Sequence, residues 1–286
     1  MKEILRNRIL NSLIPSYITE GIGDEGTPDM KYYAFDWDDN LLYMPTKIVL
    51  EDEDGDEVMM GTEDFAEYRT EIGKEPFKYK GRTIIGFAND PFRNFRTEGD
   101  KDFIIDSMTA EVGPAWDDFI EAINGGSVFA IITARGHKPN TLKESVYNMI
   151  INNHEGINKK LLIKNLRKYR SIDDMEDMSD DEIIREYLDM CQFSPVSYGS
   201  GSASNPEEGK IDAMNEFIEH IKKIARKIHK KIFVKEKIGN EFIPKIGFSD
   251  DDIRNVEKMK SYFEKNKPEG IEFATYSTTG GIKKKY

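Results

Sequence analysis

The sequence has few of the features that mark secreted or membrane proteins. It contains a single cysteine, Cys191, among 286 residues, so no internal disulfide can form and a reducing cytoplasm is the expected location. No uninterrupted apolar run approaches the roughly 20 residues of a membrane-spanning helix. Basic residues number 41 against 53 acidic ones, and the net charge of -12 disfavours extended binding to nucleic acid.

The sequence does have a cluster of carboxylates directly after an aromatic, strand-like run. The segment Lys31 to Leu42 reads KYYAFDWDDNLL and contains Asp36 and Asp38. Side chains two residues apart share a face of an extended backbone, and two anions held this close repel one another unless a cation joins them. The cluster therefore favours a divalent ion at the end of a buried strand. The alternative is a polar turn that simply follows a strand.

Three further features lie at the end of a predicted strand or the start of a predicted helix. They are Thr133 after the apolar run Ser127 to Ile132, Lys210 at a helix start, and Asp250, Asp251 and Asp252 with Asn255 after the run Ile243 to Phe248. Strands that alternate with helices predict an α/β fold, a Rossmann-like and mostly parallel sheet with helices on both faces. Ligands bind such sheets at the carboxyl ends of the strands, where these residues fall.

In this order the motifs resemble those of the haloacid dehalogenase-like superfamily of aspartate-nucleophile phosphohydrolases. The resemblance runs from Lys31 to Tyr276, and its motifs are Asp36-Trp37-Asp38-Asp39-Asn40, the strand VFAIIT with Thr133, Lys210, and Asp250-Asp251 with Asn255 behind. One position departs from the family pattern, because Asn40 stands where Thr is usual. Asn keeps a hydrogen-bonding side chain there, so we expect the support of the loop to survive.

The resemblance implies a phosphatase that forms an aspartyl-phosphate on Asp36, with Asp38 as general acid and then general base. The implied catalytic residues are Asp36, Asp38, Thr133 and Lys210, and the implied substrate-binding residues are Thr133, Ala134, Arg135 and Lys210. For Ala134 the expected contact is a backbone N–H group. Arg135 could equally be a structural charge.

The implied cofactor is Mg²⁺, which prefers oxygen ligands. Its implied ligands are Asp36, Asp38 through its main-chain carbonyl, Asp250 and Asp251, and which aspartate of the triplet contacts the metal directly is open. A small phosphorylated substrate is the expected partner. A two-metal nuclease, a nucleic-acid-end phosphatase, a phosphotransferase or mutase, and a non-catalytic phosphate-binding protein stay open as alternatives.

The expected organisation is a core domain with additions. Residues 1–30 are expected to form an amphipathic helix and linker before a core of residues 31–286, with a flap and partial cap in 43–113 and a helical insertion in 138–192. The pair Asp54-Gly55 between β-prone runs predicts a two-stranded flap from Thr46 to Met60. A hairpin is predicted over Phe233 to Glu241, and a loose tail after a last strand, Ile271 to Tyr276.

Overall fold

The structure, a computed structural model, describes residues 31–169, 178–198, 205–236 and 243–286, so the predicted N-terminal helix and linker lie outside it. The strands are β1 (Lys31–Phe35), β2 (Leu42–Tyr43), β3 (Ile48–Asp52), β4 (Glu57–Met60), β5 (Phe77–Tyr79), β6 (Arg82–Phe87), β7 (Glu111–Val112), β8 (Phe129–Thr133), β9 (Gln192–Pro195), β10 (Lys245–Asp250), β11 (Glu272–Ser277) and β12 (Lys284–Lys285). The helices are α1 (Thr62–Tyr68), α2 (Asp100–Ser107), α3 (Trp116–Gly125), α4 (Pro139–Asn152), α5 (Lys159–Tyr169), α6 (Asp180–Met190), α7 (Pro206–Glu236) and α8 (Ile253–Lys265).

The central sheet of the described chain has six strands in the order β12-β11-β10-β1-β8-β9. All neighbours pair in parallel except β12, which runs antiparallel to β11. The middle strand β1 is apolar and largely buried, and its last residue, Phe35, lies opposite Ser249 of β10 and Ile131 of β8. Because parallel strands end at one edge of a sheet, the loops after β1, β8 and β10 meet there. The predicted α/β fold with a mostly parallel sheet is confirmed.

Helices cover this sheet in two groups. One group contains α3, which packs on β1, and α4, which packs on β9, together with α2, α5 and α6. The other contains α7, which packs on β8, and α8, which packs on β10 and β11. The segment 138–192, expected as a helical insertion, forms the connection between the parallel strands β8 and β9. None of the described helices is both long enough and apolar enough to cross a membrane.

The segment 43–113 forms a small antiparallel sheet on a narrow stem. The stem is the pairing of Leu42 with Val112 and of Tyr43 with Glu111, and beyond it the strands pair in the order β4-β3-β6-β5. The predicted hairpin is present as β3 and β4, with Gly55 at a φ of 82° in its turn. The two-stranded prediction was incomplete, because β6 pairs with the other edge of β3. A separate apolar cluster fills this unit: Ile48, Leu50, Val58, Met60, Ile72, Tyr79 and Ile84.

Two predictions near the C-terminus are wrong. Residues 233–236 continue α7 instead of starting a hairpin, because the helical spacing of apolar residues persists and outweighs the β-prone letters IFV. The rest of the predicted hairpin, residues 237–241, lies outside the described residues. The tail is not loose, because β12 adds to the edge of β11, with Ser277 opposite Lys284 and Tyr276 opposite Lys285.

Candidate active site

The loop after β1 holds Asp36 at the carboxyl edge of the sheet. The backbone N–H of Asp36 donates to the carbonyl of Ser249 at 3.0 Å, which ties the loop to β10. The loop then turns tightly, because the N–H groups of Leu41 and Leu42 both donate to the carbonyl of Trp37, at 3.0 and 3.1 Å. Asp36 is 4% exposed, so its carboxylate is held in a buried position.

Asn40 supports this loop from within. Its side-chain amide donates to the carbonyls of Asp36 and Ser249, at 3.0 and 3.2 Å, and its Oδ1 accepts from the Thr278 hydroxyl at 2.8 Å. The expected loop support is therefore present with Asn at this position. Gly113, just after the stem, lies so close that a Cβ there would be 2.5 Å from the carbonyl oxygen of Asn40. The stem of segment 43–113 thus closes directly on the loop after β1.

Lys210 joins the first and last motifs. Helix α7 begins at Pro206, one turn earlier than predicted, so Lys210 projects from inside the helix. Its Nζ donates to Asp36 Oδ1 at 2.7 Å and to Asp250 Oδ2 at 2.6 Å. Burial by itself favours the neutral amine, but the carboxylates of Asp250 and Asp36 outweigh it and raise the pKa of Lys210. The lysine is therefore a buried cation shared by two carboxylates.

The carboxylates at this edge outnumber the cation. Oxygens of Asp36, Asp250 and Asp251 all lie within 4.8 Å of one another. Burial, reinforced by Asp250 and by Asp38, raises the pKa of Asp36 to about 8 even though Lys210 opposes the shift. Burial and the charges of Asp250 and Asp36 also raise the pKa of Asp251. Lys210 supplies one positive charge among three carboxyl groups, and a second cation would favour the ionised form of all three. These hard oxygen donors therefore fit a divalent ion such as Mg²⁺.

The acidic triplet divides between two tasks. Asp250 and Asp251 belong to the carboxylate cluster, and the Asn255 amide donates to Asp250 Oδ1 at 3.0 Å. Asp252 instead caps α8, where its Oδ1 accepts from the backbone N–H of Arg254 at 3.0 Å. Its other oxygen lies 3.4 Å from Arg69, at the end of α1. The structure thus separates Asp252 from the predicted metal ligands, a point that the sequence left open.

Arg135 lies in the site, but its side chain points to another site residue. Its Nε and Nη2 donate to the two carboxylate oxygens of Asp38, at 2.8 and 2.6 Å. The carboxylate of Asp38 is therefore engaged by Arg135 and is not part of the cluster around Asp36. Its main-chain carbonyl stays a predicted metal ligand.

The loop after β8 carries the predicted phosphoryl-binding groups. Thr133 is the last residue of β8 and is buried, and its carbonyl accepts from the backbone of Val196, at 2.9 Å. Its hydroxyl accepts from the backbone N–H of Arg135 at 3.4 Å, while Ala134 between them is exposed. The loop thus leaves the sheet at the same edge as Asp36.

Two functional candidates came with little or no signal in the sequence. His137 follows Arg135 by two residues; it is buried, and its Nδ1 lies 2.9 Å from Asp100 Oδ1. Asp100 begins α2 in segment 43–113, 37 residues away in the chain, and no local pattern marks it. Only knowledge of how the segment docks on the loop after β8 could have found this pair.

A cavity of about 230 Å³ lies between α2 and the β3–β4 hairpin with the residues that precede it. Its lining includes Thr46, Lys47 and Met59 on the hairpin side, and Phe103 and Asp106 from α2. Thr46 connects it to the site, because its hydroxyl accepts from Arg135 Nη2 at 2.9 Å. The cavity therefore has both polar and apolar walls, and one of its lining residues, Thr46, contacts Arg135 directly.

The structure brings together residues from all four sequence motifs at one edge of the sheet. Asp36, Lys210, Asp250 and Asp251 form one cluster, and Asp38 and Arg135 form an ion pair next to it. Thr133 ends the adjacent strand. A scan against protein-family models and searches of curated proteins and of solved structures found no match to this chain.

Proposed function

We propose that this chain is a magnesium-dependent phosphohydrolase that cleaves phosphate monoesters through an aspartyl-phosphate on Asp36. The observation that carries the proposal is the buried Lys210 ammonium, bound to Asp36 at 2.7 Å and to Asp250 at 2.6 Å, beside the carboxylate of Asp251. A phosphate monoester is a dianion, so a site that attacks it must collect positive charge around a carboxylate nucleophile. The proposal includes a haloacid dehalogenase-like core, with segment 43–113 as flap and partial cap.

In the first step, an oxygen of Asp36 attacks phosphorus while the bond from phosphorus to the leaving oxygen breaks. The leaving oxygen receives a proton from Asp38, which enters this step as the protonated acid and is two residues further along the same loop. Lys210 binds the Asp36 side chain and favours its ionised form, because its charge opposes the rise in the pKa of Asp36 that burial causes. The hydroxyl of Thr133 and the backbone after it offer neutral hydrogen-bond donors to the phosphoryl oxygens.

In the second step, Asp38 takes a proton from water, and the water oxygen attacks phosphorus. The bond between phosphorus and Asp36 then breaks, which releases inorganic phosphate and restores the carboxylate. Asp36, Asp250 and Asp251 would hold Mg²⁺, with the carbonyl of Asp38 as a further ligand, and the bound ion would supply charge stabilisation to the phosphoryl oxygens. Division of one displacement into two steps lowers the barrier to each.

The proposal is tested by Asp36→Asn in the full chain, with a panel of phosphorylated metabolites, sugars, nucleotides and aryl phosphates in Mg²⁺. Loss of the nucleophile should lower turnover by about 10⁴-fold or more. Asp212→Asn is the control, because Asp212 is an exposed acid on α7, two residues from Lys210. If Asp36→Asn hydrolyses the best substrate as fast as the parent protein, the assignment is wrong.

The same panel separates hydrolysis from transfer to another acceptor. A hydrolase should release inorganic phosphate in amounts equal to the alcohol produced, whereas a phosphotransferase should release less phosphate when a second alcohol is added. Acid-quenched parent protein should also carry phosphate on the peptide that contains Asp36. Absence of the phosphopeptide under rapid quenching, with turnover present, would contradict a covalent mechanism.

A further inference from the structure

Arg135 is a buried arginine whose hydrogen bonds are directed at protein groups. Two of them form the bidentate pair with Asp38, a third reaches the Thr46 hydroxyl at 2.9 Å, and a fourth joins Nη1 to His137 Nε2 at 3.1 Å. Arg135 is 1% exposed. A guanidinium group has five N–H donors and four of them are used, so a phosphate could bind Arg135 through two donors only if one of these bonds were broken.

His137 fixes the guanidinium from the other side. Arginine can only donate, so His137 Nε2 must accept, and the ring proton must then lie on Nδ1 and point to Asp100 at 2.9 Å. Burial and the neighbouring charge of Arg135 lower the pKa of His137, in agreement with a neutral ring. Hydrogen bonds therefore run without interruption from Asp100 through His137 and Arg135 to Asp38.

Aromatic rings and backbone contacts hold this chain of residues in place. The guanidinium carbon of Arg135 lies 4.7 Å from the ring centre of Phe95 and 4.8 Å from that of Phe103. The backbone N–H of Gly136 donates to the carbonyl of Phe95 at 2.8 Å. Segment 43–113 thus contacts the loop after β8 at Arg135 and Gly136. These contacts restrict the Arg135 guanidinium to one position.

We propose that Arg135 is a positioning residue that holds the Asp38 carboxylate for proton transfer, with His137 and Asp100 fixing Arg135 in turn. This inference rests on the proposed function, in which Asp38 must reach the leaving oxygen and later a water molecule. Proton transfer demands hydrogen-bond reach, and a displacement of about 1 Å can cost about 10²-fold in rate. Arg135 acts through Asp38 and does not itself bind the phosphate.

The test compares a poor and a good leaving group in the same variants. Arg135→Lys keeps a positive charge but cannot bind both oxygens of Asp38 in a planar fork. For the best alkyl phosphate of the panel, whose leaving oxygen needs a proton, kcat should fall about 10²-fold with KM within about threefold of the parent value. With 4-nitrophenyl phosphate, which needs no proton, the burst of the first turnover should keep its rate while the later turnovers slow.

Two further variants and a control separate positioning from a general loss of structure. His137→Phe keeps a ring against Phe103, and Asp100→Ala removes the far end of the chain of hydrogen bonds, so both should give the same pattern with smaller losses. Either one carries the test if Arg135→Lys does not fold. Arg185→Lys is the control, because Arg185 pairs with Asp181 at 3.1 Å and lies 4.0 Å from the ring centre of Tyr147, far along the chain from the site.

The outcomes distinguish this inference from the proposed function. If the parent protein turns over neither phosphate, the proposed function fails. If the parent is active and the folded variants slow the first turnover of both substrates equally, or raise KM about tenfold or more at constant kcat, then Arg135 binds substrate or supports structure in general. Either of these results overturns the positioning role.

Discussion

The carboxylate cluster and the antiparallel unit of segment 43–113 are organised in opposite ways. The cluster assembles residues more than 200 positions apart, Asp36 and Asp250, and seals them from solvent with the bound Lys210. The antiparallel unit pairs neighbours in the chain, fills a small apolar cluster of its own, and leaves large apolar residues such as Met59, Ile85 and Phe87 between 40% and 48% exposed. One region is a buried set of paired charges, and the other exposes apolar side chains to solvent.

The difference shows which interactions stabilise each region. In the cluster, Asp36, Asp250 and Lys210 are buried, so removal of one of these charges leaves the others without a partner and out of reach of water. In the antiparallel unit, stability comes from burial of a few apolar residues, and damage there can stay local. Residues near the cluster nevertheless contact segment 43–113. Asp252 and Glu207 both bind Arg69, and Arg135 donates to the Thr46 hydroxyl.

Removal of the Lys210 charge gives the largest expected effect in this comparison. In the proposed mechanism, Lys210→Ala removes one charge-stabilising group from the phosphoryl site and should lower turnover by about two orders of magnitude or more. It should also lower the free energy of unfolding by about 3–5 kcal/mol, since Asp36 and Asp250 lose their buried partner. Steady-state kinetics and urea unfolding measure the two effects.

Lys222→Ala is the matched control on the same helix. Lys222 also donates to a carboxylate, that of Glu219 at 2.7 Å, but Glu219 is largely exposed. An exposed pair of this kind contributes about 0–1 kcal/mol, so the control should keep both activity and stability. Equal effects of the two substitutions would contradict the conclusion that the buried ion pairs of Lys210 contribute more to stability and activity than an exposed pair does.

The sequence predicted the cluster because its signals are local. Each motif is an apolar run that stops at a polar residue, and a parallel sheet necessarily brings such ends to one edge, so Asp36, Thr133 and Asp250 could be placed together without coordinates. The side-chain partners of the site residues could not be predicted in the same way. Nothing in the residues around Arg135 says that its side chain binds Asp38, because that contact depends on Thr46 and Asp100 in a separately folded segment.

The antiparallel unit shows more clearly where sequence periodicity fails to predict strands. Its hairpin carried a turn signal in Asp54-Gly55, but β5 and β6 lie among polar residues in a segment whose aromatics have no regular period. Several of those aromatics pack on one another instead, as Tyr68 does on Phe77, with ring centres 5.3 Å apart. Their order arises from contacts between separate elements, here helix α1 and strand β5, which the sequence of either element alone does not reveal.

A core truncation in the antiparallel unit should have an intermediate, local effect. Ile84 is fully buried there, so Ile84→Ala should lower the free energy of opening that unit by about 2–5 kcal/mol. Hydrogen exchange should accelerate at the amides of β5 and β6 while those of β1 and β8 keep their protection. The adjacent Ile85, 45% exposed, provides the control Ile85→Ala, for which little change is expected. Equal loss of protection in β1 would mean that the two regions unfold as one.

The smallest expected effect concerns two neighbouring aspartates that the structure assigns to different tasks. If Asp251 helps to hold Mg²⁺, thermal stabilisation of the parent protein by Mg²⁺, about 2.7 kcal/mol at a concentration of 100 times Kd, should be largely lost in Asp251→Asn. Asp252→Asn should keep that stabilisation, because Asp252 caps α8 and pairs with arginines, and Asn is nearly as good a cap as Asp. Thermal unfolding with and without Mg²⁺ compares the two, and Ca²⁺ serves as a second ion. If Asp252→Asn loses the stabilisation and Asp251→Asn keeps it, the ligand assignment at this edge of the sheet is wrong.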